Sequence, residues 1–134
     1  MRSRTGSTCV VLLAAIGVAG AAAVRAADAP DANAAAHGAA VFARTCEPCH
    51  GRGPGLDGSP MLPGAAALAA KYQGKVSPYL EERSDLNAAL LRYYVRHGTG
   101  AMPMFRRTEI SDAEIEAVAA YLAASAHGRS AASR

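Results

Sequence analysis

Apolar residues recur at helical spacing toward the end of the chain, and no stretch reads as a convincing strand. Ile115, Val118, Ala119 and Leu122 return at steps of three and four, the signature of one buried helix face. Just upstream, Ser111-Asp112-Ala113-Glu114 is a capping box, and Ile110 and Ile115 are spaced as its hydrophobic staple. The pattern predicts a helix from there to about residue 126, followed by a small, polar tail over 128–134. Leu86, Leu90, Tyr93 and Tyr94 predict a second helix, capped by Ser84 or Asp85 and stopped by Gly98. Residues 38–46, with Val41 and Phe42, and 65–72, stopped at Gly74, predict two shorter helices. Between them lie loops over 51–63, rich in Gly and Pro, over 76–84 and over 98–108.

The first residues break this pattern. Arg2 and Arg4 precede an apolar run over 9–24, and Val24-Arg25-Ala26 offers a small-residue cleavage site. The expectation is a secretory signal peptide over 1–26; the run is short and too rich in Ala and Gly for a membrane span. Residues 27–36 then form a flexible mature start, 37–127 the single domain and 128–134 a flexible tail. The protein is expected in the periplasm, with no stable membrane anchor after cleavage.

Removing the leader changes two further readings. The whole chain carries a formal +3, but Arg2, Arg4 and Arg25 leave, so eleven basic residues face eleven acidic ones. Bulk charge then gives nucleic-acid binding no support. The cysteines fall from three to two, Cys46 and Cys49, so no further pair remains for a structural disulfide.

Those two belong to Cys46-Glu47-Pro48-Cys49-His50, a C-x-x-C-H attachment signature for a c-type haem. Two thiols one short turn apart can add across the two vinyl groups of one porphyrin. The adjacent histidine then reaches the iron through Nε2. Zinc would want a second Cys/His pair at ligand spacing, and a thioredoxin-like dithiol a βαβ context; neither is present. With little large side-chain volume in the chain, haem would supply much of the core.

The second axial position is open to several residues: Met61, Met102, Met104, His37, His97 and His127. Met102 is the expected ligand. It lies in the loop between the last two helices, and Pro103 restricts its backbone to extended conformations. A thioether there would stabilise ferrous iron. Met104, two residues on, and His97, at a helix end, are the alternatives. His50 is expected to donate its Nδ1–H to a backbone carbonyl, with Pro60 the first candidate and Pro54 the second. Leu62, Leu68, Leu90 and Val95 are expected to line the crevice.

From residue 38 to residue 122 the chain resembles the class I monohaem cytochromes c. The resemblance is carried by Gly38 and Phe42, the C-x-x-C-H run, Pro60 and Leu62, Met102-Pro103, and Tyr121. It implies an all-α small cytochrome c fold, with three to five helices around one covalent haem c. It also implies that the first and last helices cross, with Gly38 at the close contact. A narrower stretch, from Tyr93-Tyr94-Val95-Arg96-His97-Gly98 to Thr108-Glu109-Ile110-Ser111, is similar to cytochromes that serve flavin-dependent dehydrogenases such as p-cresol methylhydroxylase.

The expected function is thus periplasmic electron transfer by a His/Met-ligated haem, between a redox protein donor and acceptor. The alternative is a dedicated subunit accepting electrons from a flavoprotein dehydrogenase. Two filled axial positions would leave no site for catalysis. No Ser/His/Asp arrangement, phosphate loop or paired-carboxylate cleft points elsewhere. Arg92, Arg96, Arg106 and Arg107 flank the Met102 loop, and the pattern predicts a basic rim that steers an acidic partner.

Overall fold

The computed structural model describes residues 32–132. The expected leader, residues 27–31 and the last two residues of the tail lie outside them. Five α-helices and one short 3-10 turn (Leu80–Glu82) make up the described chain: α1 (Ala32–Thr45), α2 (Glu47–His50), α3 (Pro63–Tyr72), α4 (Ala88–His97) and α5 (Asp112–Ala132). Among the described residues there is no strand, only an isolated bridge between Thr99 and Met102. No helix of these residues is long and apolar enough to cross a membrane.

The last helix begins as its sequence dictates. Glu114 N–H donates to Ser111 Oγ at 3.2 Å, and Ser111 N–H donates back to the Glu114 carboxylate at 2.7 Å. Such a cap contributes about 1 kcal/mol. Ile110 and Ile115 on either side of it are both buried. They join Val41, Phe42, Val118 and Leu122 in one core, with Leu80, Leu86, Leu91, Val95, Phe105 and Tyr121 packed partly against it.

α1 and α5 make the most extensive helix contact of the fold. Gly38, Val41 and Phe42 form the buried face of α1. The Phe42 and Tyr121 rings lie 5.4 Å apart, tilted at 49°. The Tyr121 hydroxyl donates to the Glu81 carboxylate, which ties the 3-10 turn to the same crossing.

Three boundaries differ from expectation. Residues 32–36 belong to α1, and α5 runs through Gly128 to Ala132. The first addition is alanine-rich, and alanine favours helix without leaving an amphipathic trace; the second runs through Gly128, which sequence rules read as a stop. The cap of α4 is Asn87, whose Oδ1 accepts from Leu90 N–H at 2.9 Å. Asp85 is instead bound to Arg83. The remaining stops match: Gln73 and Gly74 (φ 49° and 80°) end α3, and Gly98 (φ 66°) ends α4.

Candidate functional site

α2 is the short element that presents the motif. Its first turn accommodates Pro48, whose missing N–H would be unpaired there anyway. The Cys46 carbonyl accepts from Cys49 N–H at 3.2 Å and from His50 N–H at 2.9 Å. Residues three and four apart on a helical turn share a face. Cys46, Cys49 and His50 are therefore on one side, and all three line a single cavity of about 560 Å³. Neither cysteine is in a disulfide. Burial pushes the Cys46 thiol up to about 11, against the opposing pull of Arg44, so it stays protonated at neutral pH. Burial also holds the His50 imidazole below its ordinary value, which keeps it neutral, the form a metal binds.

α3 lies directly against this histidine because residue 64 has no side chain. A Cβ on Gly64 would come within 2.8 Å of the Cys49 carbonyl oxygen and of both His50 Cε1 and Nδ1. The hydrogen bond expected from His50 to Pro60 is not formed. Nδ1 is buried without a partner, and Pro60 is exposed and outside the cavity lining. The loop closes on itself instead. Gly55 N–H donates to the Ser59 carbonyl at 2.9 Å, and Ser59 Oγ donates to the Met61 carbonyl at 2.7 Å. Pro54, the second candidate, is exposed as well. Leu62 caps α3 and does not line the cavity, whereas Leu68, Leu90 and Val95 do.

Met102 lines the same cavity as Cys46, Cys49 and His50. Its backbone is fixed from both sides. Met102 N–H donates to the Thr99 carbonyl at 2.9 Å, and Thr99 N–H donates to the Met102 carbonyl at 3.1 Å. Gly100 supplies the positive φ (56°) at the first central position of this turn. Gly98 is tight there too, since an added Cβ would lie 2.6 Å from the Met102 carbonyl. Met104 is 65% exposed and outside the lining. His97 is exposed, stacked on Tyr93 at 4.5 Å, with Nδ1 at 2.7 Å from the Tyr93 carbonyl. Met61, His37 and His127 are likewise not part of the lining.

The arginine rim takes a form the sequence pattern did not predict. Arg92 pairs with Glu116, Arg96 and Arg107 with Asp112, and Arg106 with Glu109. The four cations share three carboxylates in and just before the first turns of α5. Two residues absent from the expectations also belong to the site. One is Gly64, for which only its place after Pro63 gave a hint. The other is Arg83, which lines the cavity and is 6% exposed; its only sequence signal is the Asp two residues on.

The residues fit a haem. Two thiols and a neutral imidazole stand on one face, a thioether lines the same space, and leucine, valine, isoleucine and aromatic side chains make up about half of the remaining wall. Close-packed interiors seldom hold a space of this size unless a ligand belongs in it.

Comparison with known proteins agrees. A family model described as cytochrome c oxidase, cbb3-type, subunit III matches residues 33–122. Cytochrome c6 of Picosynechococcus sp. is 37% identical over 89 residues, covering 66% of this chain and 71% of that protein. No solved structure matches. The match spans the motif, the cavity and the α1/α5 crossing, and with it the chain belongs to this cytochrome c family, the class I monohaem electron carriers with one covalent haem c.

Proposed function

We propose that the chain is a periplasmic one-electron carrier in which Cys46 and Cys49 hold the haem and His50 and Met102 are its axial ligands. The observation that carries this is the single cavity shared by all four side chains. Each thiol would add across one vinyl group, sulfur to one carbon and hydrogen to the other. Nδ1 of His50 is buried and without a partner, and Nε2 would be the nitrogen offered to the iron. When bound, haem supplies a ferric/ferrous couple; the chain supplies ligands, orientation and a dry pocket. Leu68, Leu90 and Val95 would exclude water, and the Thr99–Met102 backbone pair fixes the residue that carries the thioether.

The periplasmic assignment rests on the leader pattern of residues 1–26. A dedicated role beside a flavoprotein dehydrogenase rests on residues 93–111 alone, and a flavoprotein that co-purifies in fixed proportion would favour it. The test of the main reading is the optical spectrum of protein taken from the periplasm, oxidised and then reduced, with its N-terminus sequenced. Sharp c-type bands on reduction, a weak long-wavelength Met-to-iron band when oxidised, and an N-terminus near residue 27 are expected. Absence of haem in cells able to attach it would overturn the site, and an intact leader in the cytoplasm would overturn the location.

A further inference from the structure

α3 starts Pro63-Gly64-Ala65-Ala66-Ala67, and its second residue interrupts an otherwise favourable beginning. Glycine is disfavoured inside a helix relative to alanine, which stands at each position that follows. The fold supplies the reason for it. A Cβ on Gly64 would lie 2.8 Å from His50 Cε1, 2.8 Å from His50 Nδ1 and 2.8 Å from the Cys49 carbonyl oxygen. The first two atoms form one edge of the imidazole, so α3 rests on that edge through backbone alone.

The backbone on both sides of this contact is held. Pro63 fixes φ at the start of α3, and Ala66 N–H donates to the Leu62 carbonyl at 2.9 Å. Ala65, next to Gly64, is fully buried. On the other side, the Cys46 carbonyl accepts from both Cys49 and His50 N–H and holds α2. The plane of the imidazole is the softer coordinate. A metal-binding histidine commonly has its plane fixed by a hydrogen bond from its other ring nitrogen. Nδ1 of His50 is buried without a partner, so the contact with Gly64 is left to fix it.

We propose that Gly64 is a positioning residue for His50: its missing side chain lets α3 lie against the Nδ1–Cε1 edge and sets the plane of the ring. This rests on the haem site above. The plane of an axial imidazole decides which of the iron's nearly equal π orbitals holds the unpaired electron of the low-spin ferric form. It thereby decides which part of the haem rim carries that electron density.

The experiment is proton NMR of the haem-loaded protein in wild type, Gly64→Ala and Ala65→Gly, with urea midpoints alongside. In the reduced, diamagnetic wild type, a Gly64 Hα should show a nuclear Overhauser contact to His50 Hε1. In the oxidised protein, Gly64→Ala should change the order of the haem-methyl shifts, because the added methyl turns the ring. Ala65→Gly removes a methyl that is buried outside the cavity lining. It should lower the urea midpoint and keep the wild-type order. An unchanged order in Gly64→Ala overturns the proposal whatever its midpoint, since α3 would have retreated and left the ring alone. The same change of order in both variants also overturns it, as a general loosening of α3. If Gly64→Ala fails to accumulate, absence of the Overhauser contact in wild type overturns it independently. Wild type without haem, or with a haem that His50 does not hold, would instead defeat the haem site itself.

Discussion

Gly38 of α1 meets Ala117 of α5 backbone against backbone. A Cβ on Gly38 would lie 1.9 Å from the Ala117 carbonyl oxygen and 3.0 Å from Tyr121 Cβ. That overlap cannot be relieved by rotating a side chain, so the helices would have to part. Gly38→Ala should therefore destabilise the haem-loaded protein by about 3 kcal/mol, the upper end of ordinary overpacking. Helix propensity alone predicts the opposite sign, a gain of about 1 kcal/mol. Denaturant unfolding decides between them, and a stabilised variant would show that the crossing can widen.

The same crossing indicates what a sequence can disclose. The C-x-x-C-H run, the Ser111–Glu114 box and the Ile110/Ile115 staple are local patterns with local causes, and each lies where the pattern placed it. The start of α1 was illegible because an alanine run has helix propensity but no polar face, and the end of α5 because Gly128 reads as a stop although the helix continues through it. Asn87 was hidden among three possible caps, and only the tertiary role of Asp85, held by Arg83, separates them. Pro60 failed as a partner because the loop satisfied its own polar groups. Arg83 and Gly64 matter only through what the fold brings beside them, and no spacing rule reports that.

The two methionines of the 98–108 loop are distinguished by exposure. Met102 lines the cavity, and Met104 is turned mostly to solvent. Met104→Leu should leave the long-wavelength band of the oxidised protein intact. Met102→Leu should abolish it, lower the reduction potential and let the reduced protein bind carbon monoxide. Optical titration of both variants checks this; loss of the band in Met104→Leu would reverse the assignment.

Arg96 ties both ends of that loop. It donates to the Phe105 carbonyl at 3.0 Å, to the Ile110 carbonyl at 2.9 Å and to Asp112 Oδ1 at 2.6 Å. The Arg96 hydrogen bond, opposed in part by desolvation and helped by the charges of Arg107, Arg96 and Arg92, holds the Asp112 carboxyl below the usual aspartate value. A carboxyl lowered by folding stabilises the fold fully above its unfolded value, about 3.9, and loses that contribution as pH falls through the folded value. Asp112→Asn should therefore be less stable than wild type at neutral pH, with the gap closing below about pH 4. Urea midpoints across that range test it, and a gap that persists in acid would assign the loss to packing instead.

The paired arginines make a kinetic prediction. Arg92 with Glu116 and Arg106 with Glu109 act as near-neutral pairs at a distance, and Arg96 and Arg107 share the Asp112 carboxylate, which leaves one positive charge over the four arginines. Salt at 0.1 M already screens fields beyond about 10 Å. Without residues 1–26 the chain has no formal net charge to add. Electron transfer to small oxidants should then depend weakly on ionic strength, whether the oxidant is an anionic or a cationic metal complex. Glu116→Gln would leave Arg92 only its longer contact to Asp112 at 3.9 Å, add one positive charge, and give the anionic oxidant a rate that falls with salt, and the cationic one a rate that rises. Stopped-flow oxidation at low and high salt measures both slopes. A steep fall for wild type with the anionic oxidant would mean that the arginines act as free charges despite their carboxylate partners, restoring the basic rim as the steering surface.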